Sequence, residues 1–349
     1  MSTSLRSATG ESGSVTGKRA RASDVAELAG VSRSAVSRAF SQTAYIAAET
    51  KAKVMKAAAE LNYSPDSLAS GLAKGRSNIV VLVLNQVDAI RGPSFHSALV
   101  RSLQESGRLP VVLNLSPTDD GAFSLKRHLT FPVEGLIVMS DSVSVDVARH
   151  AVPYVRPIML NFERTRADVD SIAANDAAGI AELVKYLWET GHRSIGFMAG
   201  RSSSVSSKIR RDALALEIAR RGMHLAVEAS GEFSYDQAFK AAPALVAGEN
   251  LPDAIFCAND VMAFAVMDYL RLKTRHRVPE DVSIAGFDDV FMASWPIYNL
   301  STIRQDIDSM AAEVTAILER RLDPQNRKFE PRTMVAELVL RGTIGRRET

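Results

Sequence analysis

Four polar side chains crowd residues 33–38, and their types and spacing suit a single surface. In a helix, which turns by about 100° per residue, Arg33, Ser34, Ser37 and Arg38 fall on one continuous arc. Arginine can donate two hydrogen bonds to the edge of guanine in the major groove of DNA, and serine can reach bases or phosphates. The alternative is an ordinary solvated helix face, so the interpretation depends on the elements that carry this arc.

The sequence places the arc on the second helix of a helix-turn-helix. The opposite side of the segment is apolar: Ala35, Val36, Ala39 and Phe40. A preceding helix has a matching stripe: Val25, Leu28 and Ala29. Gly30 permits the tight turn between the two helices, and Ser32 can cap the second. A third helix is predicted from the helical spacing of Val54, Ala58 and Leu61.

Charge is distributed unevenly along the 349 residues, although the net charge is only +2. Residues 1–77 contain 11 Lys/Arg against 6 Asp/Glu, which leaves the remainder mildly acidic. A basic segment on an acidic body is the asymmetry expected when one part of a chain meets a polyanion.

Several classes of protein are excluded by composition. Cys257 is the single cysteine, so neither an intrachain disulfide nor a multi-cysteine metal site is possible. Residues 1–18 lack the apolar core of a signal peptide and are expected to be a disordered tail. No apolar run approaches the ~20 residues that span a bilayer. We therefore expect a cytoplasmic protein, associated with the nucleoid when it binds DNA.

From residue 78 onward, short apolar runs alternate with helical stretches. The runs are IVVLVL, PVVLNL, GLIVMS, PIMLNF, SIGFMAG, AIFCAND and VSIAGFDD. Continuous apolar runs predict strands that are buried on both faces, and hence a parallel sheet flanked by helices. The segment is too long for one small unit, so the fold class is an all-α helix-turn-helix head followed by a two-lobed α/β core.

Polar residues directly after these strands are candidates for ligand binding, because ligands occupy the cleft at the carboxyl ends of parallel strands. Asn161 ends PIMLN, Asn259 closes AIFCAND, and Asp288 closes VSIAGFDD. The stretch GRSSSVSSKIR, which follows SIGFMA, supplies Ser204, Ser206 and Arg210. Arginine donors, a carboxylate acceptor and an amide are together suited to a polyhydroxylated molecule.

Several longer stretches of the chain carry a recognisable pattern: ASDVAELAGVSRSAVSRAF, ELNYSPDSLASGL, GHRSIGFMAG, IFCAND, VPEDVSIAGFDD and LSTIRQD. Through these motifs most of the chain resembles the lactose-repressor (LacI/GalR) family of bacterial transcription regulators. The resemblance implies a DNA-binding head (residues 19–66), a hinge helix (67–77) and a core like a periplasmic sugar-binding protein (78–349). It also implies a homodimer, with a higher oligomer left open. In the core we expect one lobe from about 78–172 and 302–331, and the other from about 173–301 and 332–349.

The resemblance gives the hinge a mechanism. A helix as short as residues 66–74 is unstable alone in water, and in the family two such helices pair in the minor groove. By resemblance Leu72 wedges between base pairs there and bends the duplex; the alternative is a linker leucine resting on the core. A ligand that changes the separation of the two hinges would then change DNA affinity.

The resemblance also assigns roles within the core. Arg210, Asp288 and Asn259 match effector contacts of the family, Phe233 lies where the family often places an aromatic ring against the ligand, and Phe95 ends the stretch GPSF, where the family commonly has Asn-Pro-Phe-Phe. Structural alternatives stay open: Arg210 and Asp288 could form an ion pair, Phe233 could be core, and Asn259 could cap a helix.

Together these features predict a sequence-specific DNA-binding transcriptional regulator, expected to be a repressor. Its operator affinity would be controlled by a small effector, by default a sugar or sugar derivative, without a metal or other cofactor. A plain small-molecule binding protein would share the core but lack the basic head. An enzyme would need a nucleophile with a base, a metal constellation or a phosphate loop, and we find no such motif.

Overall fold

A computed structural model describes residues 20–40, 44–64, 77–85, 92–115, 120–139, 143–160, 168–247, 251–321, 328–329 and 331–347. Its contacts divide the chain into two compact units, Met1–Arg76 and Ser77–Thr349, here called the head and the core. The expected tail, nearly all of the expected hinge helix, Leu72 and Asn161 lie outside the described residues.

The described part of the head consists of three helices, α1 (Ala22–Ala29), α2 (Arg33–Ala39) and α3 (Ala48–Glu60). Gly30 ends α1 with a φ of 63°, a left-handed conformation that glycine adopts without steric cost. The Ser32 hydroxyl accepts a hydrogen bond from the Ala35 amide at 3.2 Å and so caps α2. The sequence prediction of two helices joined across a glycine turn is confirmed.

Small apolar side chains hold the three helices together. They are Val25, Ala26, Val36, Ala39, Val54, Ala57 and Ala58. Leu28, which we expected on the inner stripe of α1, is 50% exposed. The reason is the helical period: Val25, Ala26 and Ala29 span one arc, and Leu28 lies about 100° from its centre.

Two six-stranded sheets form the core. The first has the order β11-β5-β4-β3-β1-β2, and all its strands are parallel. Its strands are β1 (Ile79–Asn85), β2 (Leu109–Leu115), β3 (Gly135–Val138), β4 (Pro157–Leu160), β5 (Asp170–Ala174) and β11 (Pro331–Met334). Its helices are α4 (Gly92–Glu105), α5 (Gly121–His128), α6 (Val145–Ala151) and α11 (Ile307–Arg320).

The second sheet has the order β12-β10-β9-β8-β6-β7, with β12 antiparallel to β10 and the other pairs parallel. Its strands are β6 (Ser194–Ala199), β7 (His224–Ser230), β8 (Ala254–Cys257), β9 (Ser283–Asp288), β10 (Ser301–Gln305) and β12 (Ala336–Val339). Its helices are α7 (Asp176–Glu189), α8 (Val205–Arg220), α9 (Tyr235–Val246) and α10 (Asp260–Lys273), with a short 3₁₀ helix at Phe291–Ser294.

Each sheet is covered by helices on both faces, as continuous apolar strands require. On one face of the first sheet, α4 and α11 pack through Leu99, Leu103 and Val314, and on the other α5 and α6 pack through Leu125 and Ala148. The predicted two-lobed α/β fold is therefore confirmed. Among the described residues, no helix combines the length and apolarity that a membrane crossing requires.

The chain passes between the two sheets three times. The crossings follow β5, β10 and β11, at Ala174, Gln305 and Met334. Each lies a few residues later than the boundary we expected from the sequence. In particular, β10 pairs with β9 and β12 and so belongs to the second sheet.

Candidate functional site

The polar face of α2 is fully presented to solvent. Ser32, Arg33, Ser34, Ser37 and Arg38 are all exposed, whereas Ala35, Val36 and Ala39 are buried beneath them. The described structure thus separates the two arcs as the helical period requires. A single helix with this outline fits the major groove of DNA.

Local hydrogen bonds order part of this face. The hydroxyls of Ser32 and Ser34 lie 2.9 Å apart, and Arg38 Nε donates to the Ser34 carbonyl at 3.4 Å. Ser32 is also the cap of α2, which gives it a structural role whether or not it meets DNA. Tyr45, which the sequence argument missed, is 90% exposed between α2 and α3. No helical pattern flags it, because it lies outside the helices.

In the core, the carboxyl ends of β6, β8 and β9 lie side by side, and Arg210 of α8 joins the segments around them. Its Nε donates to Asp176 Oδ2 at 2.8 Å, and its Nη1 donates to the Ala258 carbonyl at 2.6 Å. Its guanidinium carbon lies 3.6 Å from the centre of the Phe287 ring, and the residue is 2% exposed. Arg210 therefore holds together the start of α7 and the segment after β8 at the carboxyl edge of the second sheet.

Asp288 lies at the end of β9 beside this arginine. Its Oδ1 is 3.8 Å from Arg210 Nη2, and it accepts a hydrogen bond from Gln305 Nε2 at 2.9 Å. Its φ of 115° is in the left-handed region, which non-glycine residues rarely occupy. Such strain persists only where the surroundings impose it, and it is common at ligand sites. The predicted pair of Arg210 and Asp288 is thus brought together, with Asp176 as the closer ionic partner of the arginine.

Asp260 is a wholly buried carboxylic acid behind this edge. Burial, and then the nearby Asp288, raise the pKa of Asp260 well above its ordinary value. Its Oδ1 accepts from the Thr302 hydroxyl and its Oδ2 accepts from the Val290 amide at 2.8 Å. These bonds connect α10 to β10 and to the turn after β9. Asp260 therefore helps to position the elements that carry Asn259 and Asp288.

The other polar candidates lie at the amino ends of helices. Asn259 caps α10, since its Oδ1 accepts from the Met262 amide at 2.9 Å. This is the structural alternative considered above, and it is compatible with a ligand bond through the remaining amide donor. Ser204 is buried at the N-cap of α8, and Ser206 is half-buried in its first turn.

Phe233 lies in the turn after β7 and covers the end of β6. Its ring packs so closely on Gly200 that a Cβ at that glycine would overlap it. Its φ is 56°, and the residue is half-buried against the apolar core of the second lobe. The ring therefore contacts both the apolar core of the second lobe and Gly200 at the carboxyl end of β6.

Phe95 has a different location. It is 7% exposed in α4, where it packs in the apolar cluster of the first lobe with Leu84 and Leu99. This placement lends no support to an effector contact. Asn161 lies outside the described residues.

Geometry adds two residues that the sequence argument did not name. Gln305 bonds to Asp288 from the crossing strand β10, and Asp176 holds Arg210 from the start of α7. Both directly adjoin a crossing between the sheets. Their positions, at the end of β10 and directly after β5, would have indicated them if those two strands had been recognised.

His192 gives the second lobe a pH dependence. It is fully buried, its Nε2 lies 2.8 Å from the Ser283 hydroxyl, and its pKa is lowered, chiefly by desolvation. The unfolded chain takes up a proton at about pH 6.5, whereas the folded chain resists doing so. We therefore expect the free energy of unfolding to fall as the pH drops from 7.5 to 5.5. Urea titrations should show this slope weakened in His192→Gln; an identical slope in the variant would assign the effect to other groups.

Comparison with known proteins agrees with this geometry. Residues 23–66 match the model of bacterial regulatory proteins of the lacI family, and residues 184–344 match that of the periplasmic binding protein-like domain. The chain is 27% identical over 336 residues to the probable HTH-type transcriptional repressor ExuR of Bacillus subtilis, which spans 93% of this chain and 98% of that protein. It is 28% identical over 332 residues to the repressor PurR of Pasteurella multocida, with 92% and 97% covered.

A solved structure extends the likeness to three dimensions. The lac repressor dimer bound to operator and the anti-inducer ONPF has a TM-score of 0.82 and 28% identity, covering 93% of this chain and 99% of that one. Head, core and their order along the chain are thus shared with DNA-binding repressors. The chain therefore combines a DNA-binding domain of the lacI family of bacterial regulatory proteins with a periplasmic binding protein-like domain, in the order that these repressors have.

Proposed function

We propose that this protein is a repressor that binds an operator through α2. Its affinity for the operator changes when a small effector binds in the core. The exposed face of Arg33, Ser34, Ser37 and Arg38 on a buried apolar base carries the DNA part of the proposal. The likeness to the operator-bound lac repressor supports it. Regulation rather than catalysis is its role, and it acts in the cytoplasm, where its DNA target lies.

Arg33 is the residue to test for base reading. It is exposed at the first position of α2, the end of a recognition helix that contacts base edges. Once the operator has been found by selection from random duplexes, Arg33→Ala should relax the choice of base at one position of each half-site. The expected loss is about 1–3 kcal/mol on the preferred sequence. Fluorescence anisotropy on a set of single-base variants measures it.

Lys53→Ala provides the matched control. Lys53 is an exposed cation on α3 and is paired with Glu49 at 2.9 Å. Its removal should leave base preferences unchanged. If Arg33→Ala weakens binding equally on all sequences, Arg33 is a phosphate contact and not a reader of bases.

The core is the proposed effector sensor. Arg210, Asp288 and Asn259 converge on the carboxyl edge of the second sheet, with Phe233 beside them, and Ser204 and Ser206 begin the adjacent helix. Donors, acceptors and an aromatic ring in one cleft suit a sugar or sugar derivative. The effector is the only small molecule that this function needs; neither a metal nor a prosthetic group is required.

Two copies of the chain act together in this proposal. A surface for the second copy is supported by Phe291, Trp295 and Ile297, which are 53%, 44% and 59% exposed on the segment after β9. The rings of Phe291 and Trp295 lie 5.4 Å apart, and exposed groups of large apolar side chains are a feature of protein–protein contacts. Leu72 remains, by resemblance, the proposed minor-groove wedge of the paired hinges.

A further inference from the structure

We infer that Asp268 couples the effector cleft to the contact between the two copies of the chain. Its carboxylate joins the turn that carries Phe233 to the exposed apolar segment of residues 291–297, here called the dimer surface. This inference rests on the proposed function, since it names the route by which an effector beside Phe233 would alter the pairing of two subunits.

Asp268 of α10 binds side chains from two other segments of the second lobe. Its Oδ2 accepts a hydrogen bond from the Tyr235 hydroxyl at 2.9 Å and another from the Tyr298 hydroxyl at 3.1 Å. Its Oδ1 accepts one from Arg271 Nη1 at 3.3 Å, and only 15% of the side chain is exposed. Burial, and then the hydrogen bond to Asp268, raise the pKa of Tyr235 to about 12, so this hydroxyl stays a donor at neutral pH. Hydrogen bonds to a carboxylate are stronger than neutral ones, so Asp268 firmly joins α9, α10 and the segment after β9.

On the cleft side, the connection begins in the turn between β7 and α9. Glu232 and Phe233 have φ angles of 54° and 56°, in the left-handed region that non-glycine residues rarely occupy. The Phe233 ring packs on Gly200 at the carboxyl end of β6. Tyr235 is the first residue of α9 and follows Phe233 by two positions. A ligand that displaces this ring would relax the strained turn and move the Tyr235 hydroxyl relative to Asp268.

On the opposite side, Asp268 positions the segment that carries the dimer surface. Tyr298 directly follows Ile297, and its ring stacks on Phe264 of α10 with 4.2 Å between the ring centres. Arg271, the other partner of Asp268, donates from Nη2 to the Ile297 carbonyl at 2.9 Å. The same carboxylate therefore positions the dimer surface and receives the tyrosine of the cleft side.

Dimer dissociation constants of the full-length protein test the inference, measured by sedimentation equilibrium on single and double variants. Tyr235→Phe removes the bond on the cleft side, and Phe233→Leu removes the ring that holds the turn. Each should raise the dissociation constant by about 2- to 30-fold, the usual range for residues that couple two sites. Because Phe233 would act through Tyr235, the double variant should show no larger an effect than either single variant.

Further variants locate the coupling at the carboxylate. Asp268→Asn should raise the dissociation constant most, because asparagine has one acceptor oxygen where the carboxylate has two. Tyr269→Phe is the matched control: it removes a hydroxyl from the next residue of α10 and leaves the bonds of Asp268 in place, so it should match the parent.

Fluorescence reports on the dimer surface directly. Trp188→Phe leaves Trp295 as the sole tryptophan of the chain. In this background, at a concentration where every variant is a dimer, Phe233→Leu should shift the emission of Trp295. Adding Tyr235→Phe should produce no further shift.

Effects of Phe233→Leu and Tyr235→Phe that multiply in the double variant would overturn the inference. So would an Asp268→Asn protein with a lowered free energy of unfolding and an unchanged dissociation constant, since Asp268 would then have a purely structural role. Either result leaves the proposed function standing while the parent is a dimer that binds its operator. If the parent binds no operator, the proposed function itself has failed.

Discussion

A chain shortened to residues 77–349 should lose specific operator binding entirely while it still binds effector. The core has its own sheets and apolar clusters, so it should fold without the head. The exposed arginine and serine face of α2 is absent from this fragment, and its residues are net acidic. Specific binding exceeds nonspecific binding by roughly 10³-fold or more in such proteins, and this whole difference should vanish.

Mobility-shift assays at two salt concentrations measure this loss. The full chain should lose affinity steeply with added salt, because phosphate contacts release counterions. Thermal shifts of the fragment with candidate metabolites check that it is folded and binds ligand. Specific operator binding by the fragment would contradict the assignment of DNA reading to α2.

Replacing Arg210 by methionine should lower the free energy of unfolding of the core by about 3–5 kcal/mol, the usual cost of breaking a buried ion pair. Asp176 and the Ala258 carbonyl would both lose their donors in a site where Arg210 is 2% exposed. The loss should appear as a lower midpoint of urea denaturation with an unchanged slope.

The next residue supplies the control. Arg211 points outward and pairs with Glu228 at 2.8 Å, with about half of its side chain exposed. Exposed pairs contribute about 1 kcal/mol or less, so Arg211→Met should shift the midpoint only slightly. Equal shifts in the two variants would show that Arg210 does not anchor the cleft edge.

The fold class followed from the sequence because the central strands are continuous apolar runs. All four residues of β3, β4 and β8 are buried, and such runs are readily recognised. β7 was missed because it lies at a sheet edge and its residues alternate between exposed and half-buried. β12, another edge strand, is just as weakly marked. Its pairing with β10 is antiparallel and depends on residues more than thirty positions away.

The candidate site was predicted less completely. Residues that end recognised strands, such as Asp288 and Asn259, were found by position alone. The partners of Arg210, Asp260 and Asp288 could not be, because Asp176, Thr302 and Gln305 approach them only when separate elements of the second lobe pack together. Sequence reasoning likewise left open whether Arg210 pairs with a ligand or with the protein. The answer depends on the distance of Asp176, which lies 34 residues away in the chain.

The three crossings also constrain how the protein is made on the ribosome. The last crossing places β11 in the first sheet and β12 in the second, within the final twenty residues of the chain. Arg347 then returns to donate its amide to the Thr190 carbonyl at 2.8 Å. Neither sheet is complete until residues 331–339 have been synthesised, so a nonsense codon near position 330 would deprive both lobes of an edge strand at once. The head, whose helices contact one another within the first 61 residues, can assemble long before.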